Sequence, residues 1–134
     1  MNKVLYIILI SLFSLTVISC AKKSDSSSTT SSSVSFVAVG SSGTLITSSD
    51  GTSWTSRTSG TSNTLKGVTY GNSTFVTVGG NGTILTSSDG TSWTSRTSGT
   101  TEGLYRVTYA NSTFVSVGDN GTILTSSDGT SWTS

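Results

Sequence analysis

The stretch Thr86-Ser87-Ser88-Asp89-Gly90-Thr91-Ser92-Trp93 occurs three times, without a change, in this chain of 134 residues. The copies begin at Thr47, Thr86 and Thr125, so that matching residues lie 39 positions apart. A period of this length is typical of chains in which one small structural unit is stacked several times. The repeat therefore decides the fold of everything after about Val34.

The composition favours an all-β fold with polar turns. Apolar residues make up 32% of the chain and charged residues 10%, and there are 15 glycines and no proline. Val, Ile, Phe, Tyr and Trp recur at fixed positions in the repeat, with Thr between them. Thr suits a pleated strand because its β-carbon is branched. Regularly placed apolar residues of this kind distinguish the chain from a disordered one.

Charge and residue usage exclude several classes of function. The net charge is +1, and the sequence has no basic stripe that could neutralise a nucleic-acid backbone. The chain has no His and a single cysteine, Cys20, which excludes an internal disulfide, a Ser-His-Asp triad and a zinc site of the Cys/His type. We therefore expect no nucleic-acid partner, no metal and no cofactor.

One repeat contains four short strand candidates joined by tight turns. The second repeat has them at residues 65–70, 75–78, 83–86 and 92–97. Gly and Asn stand in two of the turns, and both residues tolerate the left-handed backbone that hairpin turns require. Four strands within 39 residues predict a meander, which is the blade of a β-propeller.

The quoted stretch resembles the Asp-box, or BNR, repeat of sialidase-like propellers. The whole unit is similar to the repeats of photosystem II assembly-factor-like proteins, on the runs Val-Thr-Tyr, Phe-Val-x-Val-Gly and Gly-Thr-Ile-Leu-Thr. The turn departs from the usual box, because Gly90 follows Asp89 directly and Trp93 lies four residues after Asp89. The resemblance begins at about Phe36, and it implies blades of a partial β-propeller.

We interpret the Asp box as a structural turn. Asp89 can accept hydrogen bonds from turn N–H groups, Ser87 can do so locally, and Gly90 permits a positive φ. Trp93 would then lie over the core between blades. Calcium binding is the functional alternative, but one carboxylate per box falls short of the roughly six to eight oxygens that calcium prefers. The box residues in the three copies are Ser48, Asp50, Gly51, Trp54, Ser87, Asp89, Gly90, Trp93, Ser126, Asp128, Gly129 and Trp132.

Residues 1–19 have the pattern of a secretory signal peptide. Lys3 gives a positive start, and the apolar run after it is shorter than the ~20 residues of a membrane-spanning helix. Val17-Ile18-Ser19-Cys20 resembles the lipobox of bacterial lipoproteins, although Ile18 is bulkier than usual. The resemblance implies cleavage before Cys20 and acylation of Cys20, and two or three acyl chains hold a protein firmly on a bilayer. An ordinary signal peptide or a membrane anchor, with Cys20 incidental, is the alternative.

Residues 20–33 predict a flexible tether. After Lys22, Lys23 and Asp25, the segment contains only Ser and Thr. Such a segment has no apolar surface to bury, so that nothing offsets the entropy lost on ordering it. Ala21 rather than an aspartate follows Cys20, which by analogy with lipoproteins favours the outer membrane or cell surface over the inner membrane.

No catalytic site is predicted. Sialidases of this fold use an arginine triad, a tyrosine nucleophile with a glutamate, and an acidic residue that serves as acid and base. Arg57 and Arg96 occupy equivalent positions in two repeats, and Glu102 is the sole glutamate. The enzyme's pattern therefore has no counterpart in this chain.

Residues that differ between repeats are better candidates for ligand contact, because variation on a fixed scaffold changes a binding surface. Neutral drift explains the same differences. The candidates are Asn63, Thr64, Lys66, Gly67, Glu102, Gly103, Tyr105 and Arg106, together with Ser41, Ser42, Gly80, Asn81, Asp119 and Asn120.

The repeats do not add up to a closed ring. Residues 34–134 hold about two and three-quarter units, because the first copy lacks a strand equivalent to residues 65–70 and the last copy stops at its fourth strand. Closed propellers have roughly four to eight blades. Three interpretations stay open: copies that complete each other, a remnant of a longer propeller gene, and an open stack that pairs with a partner.

The sequence thus predicts an exported, membrane-anchored lipoprotein with a non-catalytic binding or interaction module. Its expected partners are the lipid bilayer, through acylated Cys20, further copies of itself, and an unknown protein or glycan. A truncated propeller fragment without a ligand is the alternative, and a sialidase-like glycoside hydrolase is the least favoured.

Overall fold

The computed structural model of the chain describes residues 17–22 and 34–134. These residues form antiparallel strands in three separate sheets, with two short 3₁₀ turns. The predicted all-β class and the meander blades of a partial propeller are confirmed. Within the described residues, no helix has the length and apolar character needed to cross a bilayer.

Each sheet is one blade, in which strands that follow one another in sequence pair side by side. Blade 1 contains β1 (Val17–Lys22), β2 (Phe36–Gly40), β3 (Leu45–Ser48) and β4 (Thr55–Ser56). Blade 2 contains β5 (Leu65–Gly71), β6 (Thr74–Gly79), β7 (Ile84–Ser87) and β8 (Thr94–Arg96). Blade 3 contains β9 (Leu104–Ala110), β10 (Thr113–Gly118) and β11 (Ile123–Ser126). A single bridge from Thr125 to Thr133 stands at the place of its fourth strand.

Two-residue hairpins join the first two strands of blades 2 and 3. Asn72 and Ser73 have φ values of 45° and 56°, and Asn111 and Ser112 have values of 48° and 57°. Positive φ at both central residues matches the right-handed twist of the flanking strands, and Asn adopts it at little cost. The repeated Asn-Ser pair therefore fixes the register of both blades.

An apolar layer fills the space between neighbouring blades. The first strands lie side by side, with β5 between β1 and β9. Apolar residues of β2 and β3 meet those of blade 2, and apolar residues of β6 and β7 meet those of blade 3 in the same way. The matching sets are Val37, Val39 and Leu45 against Leu65, Phe75 and Leu85, and Val76, Val78 and Ile84 against Leu104, Phe114 and Leu124.

The first strand of blade 1 comes from the leader, whereas the sequence predicts that the first repeat lacks this strand. β1 pairs with β2 so that Cys20 lies opposite Ala38, as Val68 lies opposite Thr77 in blade 2. The register slips near the start of the first strand in both blades. Without β1, the free edge of β2 would present unpaired backbone N–H and C=O groups beside the core.

The predicted tether therefore begins inside a strand, since Cys20, Ala21 and Lys22 belong to β1. Residues 23–33 lie outside the described residues, as do residues 1–16 of the signal peptide. The signal peptide and the rest of the tether stay predictions.

Candidate functional site

The turns of the blades lie on two opposite rims. One rim carries the Asp-box turns and the two-residue hairpins, and the Asn72 side chain donates to the carbonyl of Ser127 there (3.4 Å). The other rim carries the loops that lead into each first strand and the turns between second and third strands. On this rim the Gly82 N–H donates to the carbonyl of Glu102 (2.8 Å). We name them the box rim (residues 48–54, 71–74, 87–93, 111–113 and 126–132) and the variable rim (residues 41–43, 61–67, 79–83, 100–106 and 118–122).

The Asp boxes use their polar groups within their own turn. Asp89 Oδ1 accepts hydrogen bonds from the N–H groups of Thr91 (2.7 Å) and Ser92 (2.9 Å), and Ser87 Oγ accepts one from Gly90 (2.8 Å). The Thr91 hydroxyl, followed by the N–H groups of Ser92 and Thr91, lowers the pKa of Asp89 well below its usual range. Oδ1 of Asp50 and Oδ1 of Asp128 accept the equivalent hydrogen bonds. These bonds stabilise the turn and leave the carboxylates engaged with their own backbone.

The box tryptophans connect the box rim to the core. Trp93 lies 6.3 Å from the ring of Phe75, and its indole N–H donates to the carbonyl of Gly90 (3.1 Å). Trp132 stands in the same relation to Phe114, at 6.3 Å. Each ring therefore holds its turn against the apolar layer that its blade shares with the preceding one.

The variable rim brings together three of the predicted candidates from two blades. Lys66 of β5 places its Nζ 3.9 Å from the centre of the Tyr105 ring on β9. The Tyr105 hydroxyl donates to Asp119 Oδ1 (2.7 Å), and this bond to a carboxylate raises the pKa of Tyr105. Cation–π attraction and a charge-assisted hydrogen bond thus hold a half-exposed aromatic ring upright on the rim.

A second contact recurs on the same rim with different chemistry in each blade. In blade 2, the Asn81 amide donates to Asn63 Oδ1 (3.1 Å). In blade 3, the Asn120 amide donates to Glu102 Oε2 (2.8 Å). The same position therefore offers an amide pair on one blade and a carboxylate on the next.

Open grooves run beside both contacts. The groove on blade 2 has a volume of about 750 Å³ and is lined by Asn63, Asn81 and Arg96 among others. Its counterpart on blade 3 has a volume of about 760 Å³ and is lined by Asn120, Ile123 and Trp132 among others. The hydroxyl and amide groups that line both grooves can donate and accept hydrogen bonds along an extended polar chain.

Other candidates serve the fold or lie apart. Gly67 allows β5 and β9 to approach, because an added Cβ would lie 3.1 Å from the carbonyl oxygen of Tyr105. Ser41 and Ser42 belong to the turn of blade 1, which contacts β5. Arg96 has a structural role as well, since its Nε donates to Thr86 Oγ1 (2.8 Å), and Arg57 repeats this bond with Thr47.

Cys20, the predicted lipidation site, is an exposed residue of β1. Partial desolvation raises the pKa of its thiol. Within the described residues, no three His, Cys, Asp or Glu side chains come together as metal ligands.

The convergence of Lys66, Tyr105 and Asp119 is not predicted from the sequence. All three residues differ between repeats, but their variation alone does not place them in one group. The signal was present, because Lys66 and Tyr105 lie one repeat apart. Residues at that spacing occupy the same position on neighbouring first strands.

Comparison with solved structures supports the propeller-like fold. The chain is similar to a structure described as "YCF48 bound to D1 peptide", with a TM-score of 0.69 and 19% sequence identity. The match covers 89% of this chain and 39% of the other, so that the chain spans well under half of that protein. No protein-family model matches the sequence, and no curated protein matches it.

Proposed function

We propose that the chain is a non-catalytic protein-interaction module whose variable rim binds an extended segment of a partner protein. The observation that carries the proposal is the group of Lys66, Tyr105 and Asp119, which fixes a half-exposed aromatic ring on the same rim as two polar grooves. Aromatic side chains with a polar tip are favoured at protein interfaces because they bury much surface with little loss of entropy. The structure of YCF48 with a bound peptide offers a precedent on a similar fold.

A displayed library of random peptides tests the proposal. We expect the full-length chain to enrich a related set of peptides, and Tyr105→Ala to weaken their binding at least tenfold, about 1.4 kcal/mol. Thr52→Ala is the matched control, because Thr52 is an exposed residue of the box rim. The proposal would be contradicted if Tyr105→Ala left the peptide enrichment unchanged. Selective binding to a glycan array instead of to peptides would contradict it as well, and so would turnover of a sialoside.

We further propose that Cys20 carries a lipid and anchors the chain to a bacterial membrane, with the outer membrane or cell surface favoured. Cleavage before Cys20 would leave Cys20, Ala21 and Lys22 of β1 in the processed chain. The lipobox-like run before the sole cysteine supports this. Growth of an expressing bacterium with an alkyne-tagged fatty acid should label the full-length chain, and Cys20→Ser should abolish the label. Equal labelling of both chains would exclude Cys20 as the site.

Self-association is the third part of the proposal. The described residues form three blades, fewer than the roughly four to eight of a closed propeller. Copies of the chain that complete a ring would cover the sheet faces at both ends. Light scattering after size-exclusion chromatography tests this part, and a monomer at every concentration would end it.

A further inference from the structure

Each end of the three-blade stack has an apolar face. On the side of blade 3 that faces away from blade 2 lie Val115, Val117 and Ile123, which we name the trailing face. Val117 is 41% exposed and Ile123 is 56% exposed. The residues one repeat earlier, Val78 and Ile84, are fully buried against blade 3. The trailing face therefore repeats a surface that is covered elsewhere in the same molecule.

Blade 1 presents the opposite surface. Phe36, Ile46 and Trp54 form what we name the leading face, and Trp54 is 39% exposed. Phe36 and Ile46 are partly exposed, whereas their counterparts in blade 2, Phe75 and Leu85, are buried against blade 1. Within the described residues, nothing covers this side of blade 1.

We propose that the trailing face of one copy packs on the leading face of a second copy, and that the reciprocal joint closes two copies into a ring of six blades. This inference rests on the proposed self-association and names its surfaces. The two joints inside the chain supply the model, because each packs Val, Val and Ile or Leu against Phe and leucines. A head-to-tail contact either closes into a ring or continues as a fibre, and six blades lie within the usual range of closed propellers.

The first strands give the joint its specificity. Between blades 2 and 3, Tyr109 lies on Gly71, where an added Cβ would overlap the tyrosine ring. The trailing face carries Ala110 at the position of Gly71. A blade with a tyrosine there could not dock in the same way.

Blade 1 is the one blade of the three that lacks this tyrosine. Lys22 lies opposite Phe36, as Tyr109 lies opposite Phe114. Its Nζ is 5.7 Å from the centre of the Phe36 ring. A flexible lysine chain can move away from the methyl group of Ala110, whereas an aromatic ring held by its neighbours cannot. The change from Gly to Ala on one face is thus matched by the change from Tyr to Lys on the other.

The proposed joint between two copies differs from the joints inside the chain where the first strands meet. Arg106 lies on the trailing face, opposite Val117, at the position that Gly67 holds in blade 2. In the proposed joint, the Arg106 side chain keeps β9 of one copy and β1 of the other further apart than β5 and β9 are within one chain. The second and third strands, with Val117 and Ile123, therefore carry the packing.

Site-directed crosslinking tests the surfaces. Full-length chains with Cys20→Ser are kept in a mild detergent, one with Ile123→Cys and the other with Ile46→Cys, and are treated with a short bismaleimide. Ile46 corresponds to Leu124, which packs in one cluster with Ile84. We expect crosslinked dimers when both chains are mixed, and at least tenfold less when either is alone. Ser88→Cys, an exposed position on the box rim of the middle blade, is the matched control for random contact through the apolar leader.

The outcomes separate the surfaces from the self-association. Strong crosslinking of the Ile123→Cys chain to itself would mean that like faces meet, and this would overturn the head-to-tail joint. A dimer in light scattering whose dissociation constant is unchanged by Ile123→Lys, where we expect an increase of at least tenfold, would also overturn the surfaces while self-association stands. A monomer at every concentration would contradict both the self-association and the proposed surfaces. A trimer or a fibre would contradict the ring of two copies. None of these results bears on the proposed peptide binding at the variable rim, which the displayed library tests separately.

Discussion

Ile84 and Ile123 provide a matched test of the packing between blades. They occupy the same position in consecutive repeats, yet Ile84 is fully buried and Ile123 is 56% exposed. We predict that Ile84→Ala lowers the free energy of unfolding by about 3 kcal/mol, and that Ile123→Ala lowers it by about 1 kcal/mol.

The difference follows from the burial of the atoms removed. Each substitution deletes three carbon atoms, which contribute about 0.8 kcal/mol each when fully buried, or roughly 2.4 kcal/mol at Ile84. The cavity left between blades 2 and 3 adds to this, which places the total within the range of about 2–5 kcal/mol for such changes. At Ile123 less than half of the residue is buried. Solvent also fills the space that the deleted atoms leave, so that no cavity cost is added.

Urea unfolding followed by tryptophan fluorescence and circular dichroism measures both values. The full-length chain is studied at a concentration at which light scattering shows a monomer, and the two variants are fitted with a common slope. Equal losses in the monomer would refute the reasoning, because they would mean that both positions are covered alike. At concentrations that favour the proposed ring, the loss at Ile123 should rise towards that at Ile84.

Three further predictions concern the turns and the strand interiors. The box aspartates have a lowered pKa in the folded chain, so their hydrogen bonds stabilise it above about pH 4 and this stability is lost as the pH falls. Urea midpoints from about pH 6 to about pH 2 should decrease, and Asp→Asn changes in the three boxes should flatten that dependence. Gly71→Ala should cost about 1–3 kcal/mol because its Cβ would overlap the ring of Tyr109; an unchanged melting temperature would contradict this contact. Ser116 is buried, and its hydroxyl has no hydrogen-bond partner among the described residues, whereas Thr77 at the same position donates to the carbonyl of Gly67 (2.9 Å). Ser116→Ala should therefore be neutral or stabilising, Thr77→Val should cost about 1 kcal/mol, and thermal unfolding that reverses this order would reject the assignment.

The strands and turns after Val34 could be predicted because their determinants are local. The predicted segment 65–70 becomes β5 (Leu65–Gly71), and 75–78 becomes β6 (Thr74–Gly79). Asn72 and Gly90 announce turns by their tolerance of positive φ, which both adopt. Apolar residues recur at a fixed spacing, which is enough to define a blade but not its neighbours.

The first strand of blade 1 could not be predicted in the same way. In blades 2 and 3 a two-residue hairpin joins the first and second strands, whereas residues 23–35 separate β1 from β2. Val17–Lys22 also lies within a run that has the composition of a leader. Val17–Lys22 forms a strand because it pairs with the otherwise free edge of β2. This pairing is a tertiary contact, so the local sequence does not indicate it.

The group on the variable rim was half predictable. Variation between repeats identified Lys66, Tyr105 and Asp119, since identical repeats elsewhere provide the background. Variation between repeats does not reveal which way a side chain points, however. Gly67 and Lys66 are neighbours and both differ from the next repeat, yet Gly67 packs between strands while Lys66 reaches Tyr105 on the rim.

The self-contained box turn also bears on how such a chain changes length over evolutionary time. Each box forms its hydrogen bonds among residues two or three positions apart, and each internal joint uses the same two sets of apolar side chains. Insertion or deletion of one 39-residue unit would therefore leave every turn intact and would renew the same pair of end faces. Unequal recombination between the near-identical copies can thus add or remove a whole blade in one step, and each added blade brings its own turn contacts and the apolar side chains of a further internal joint.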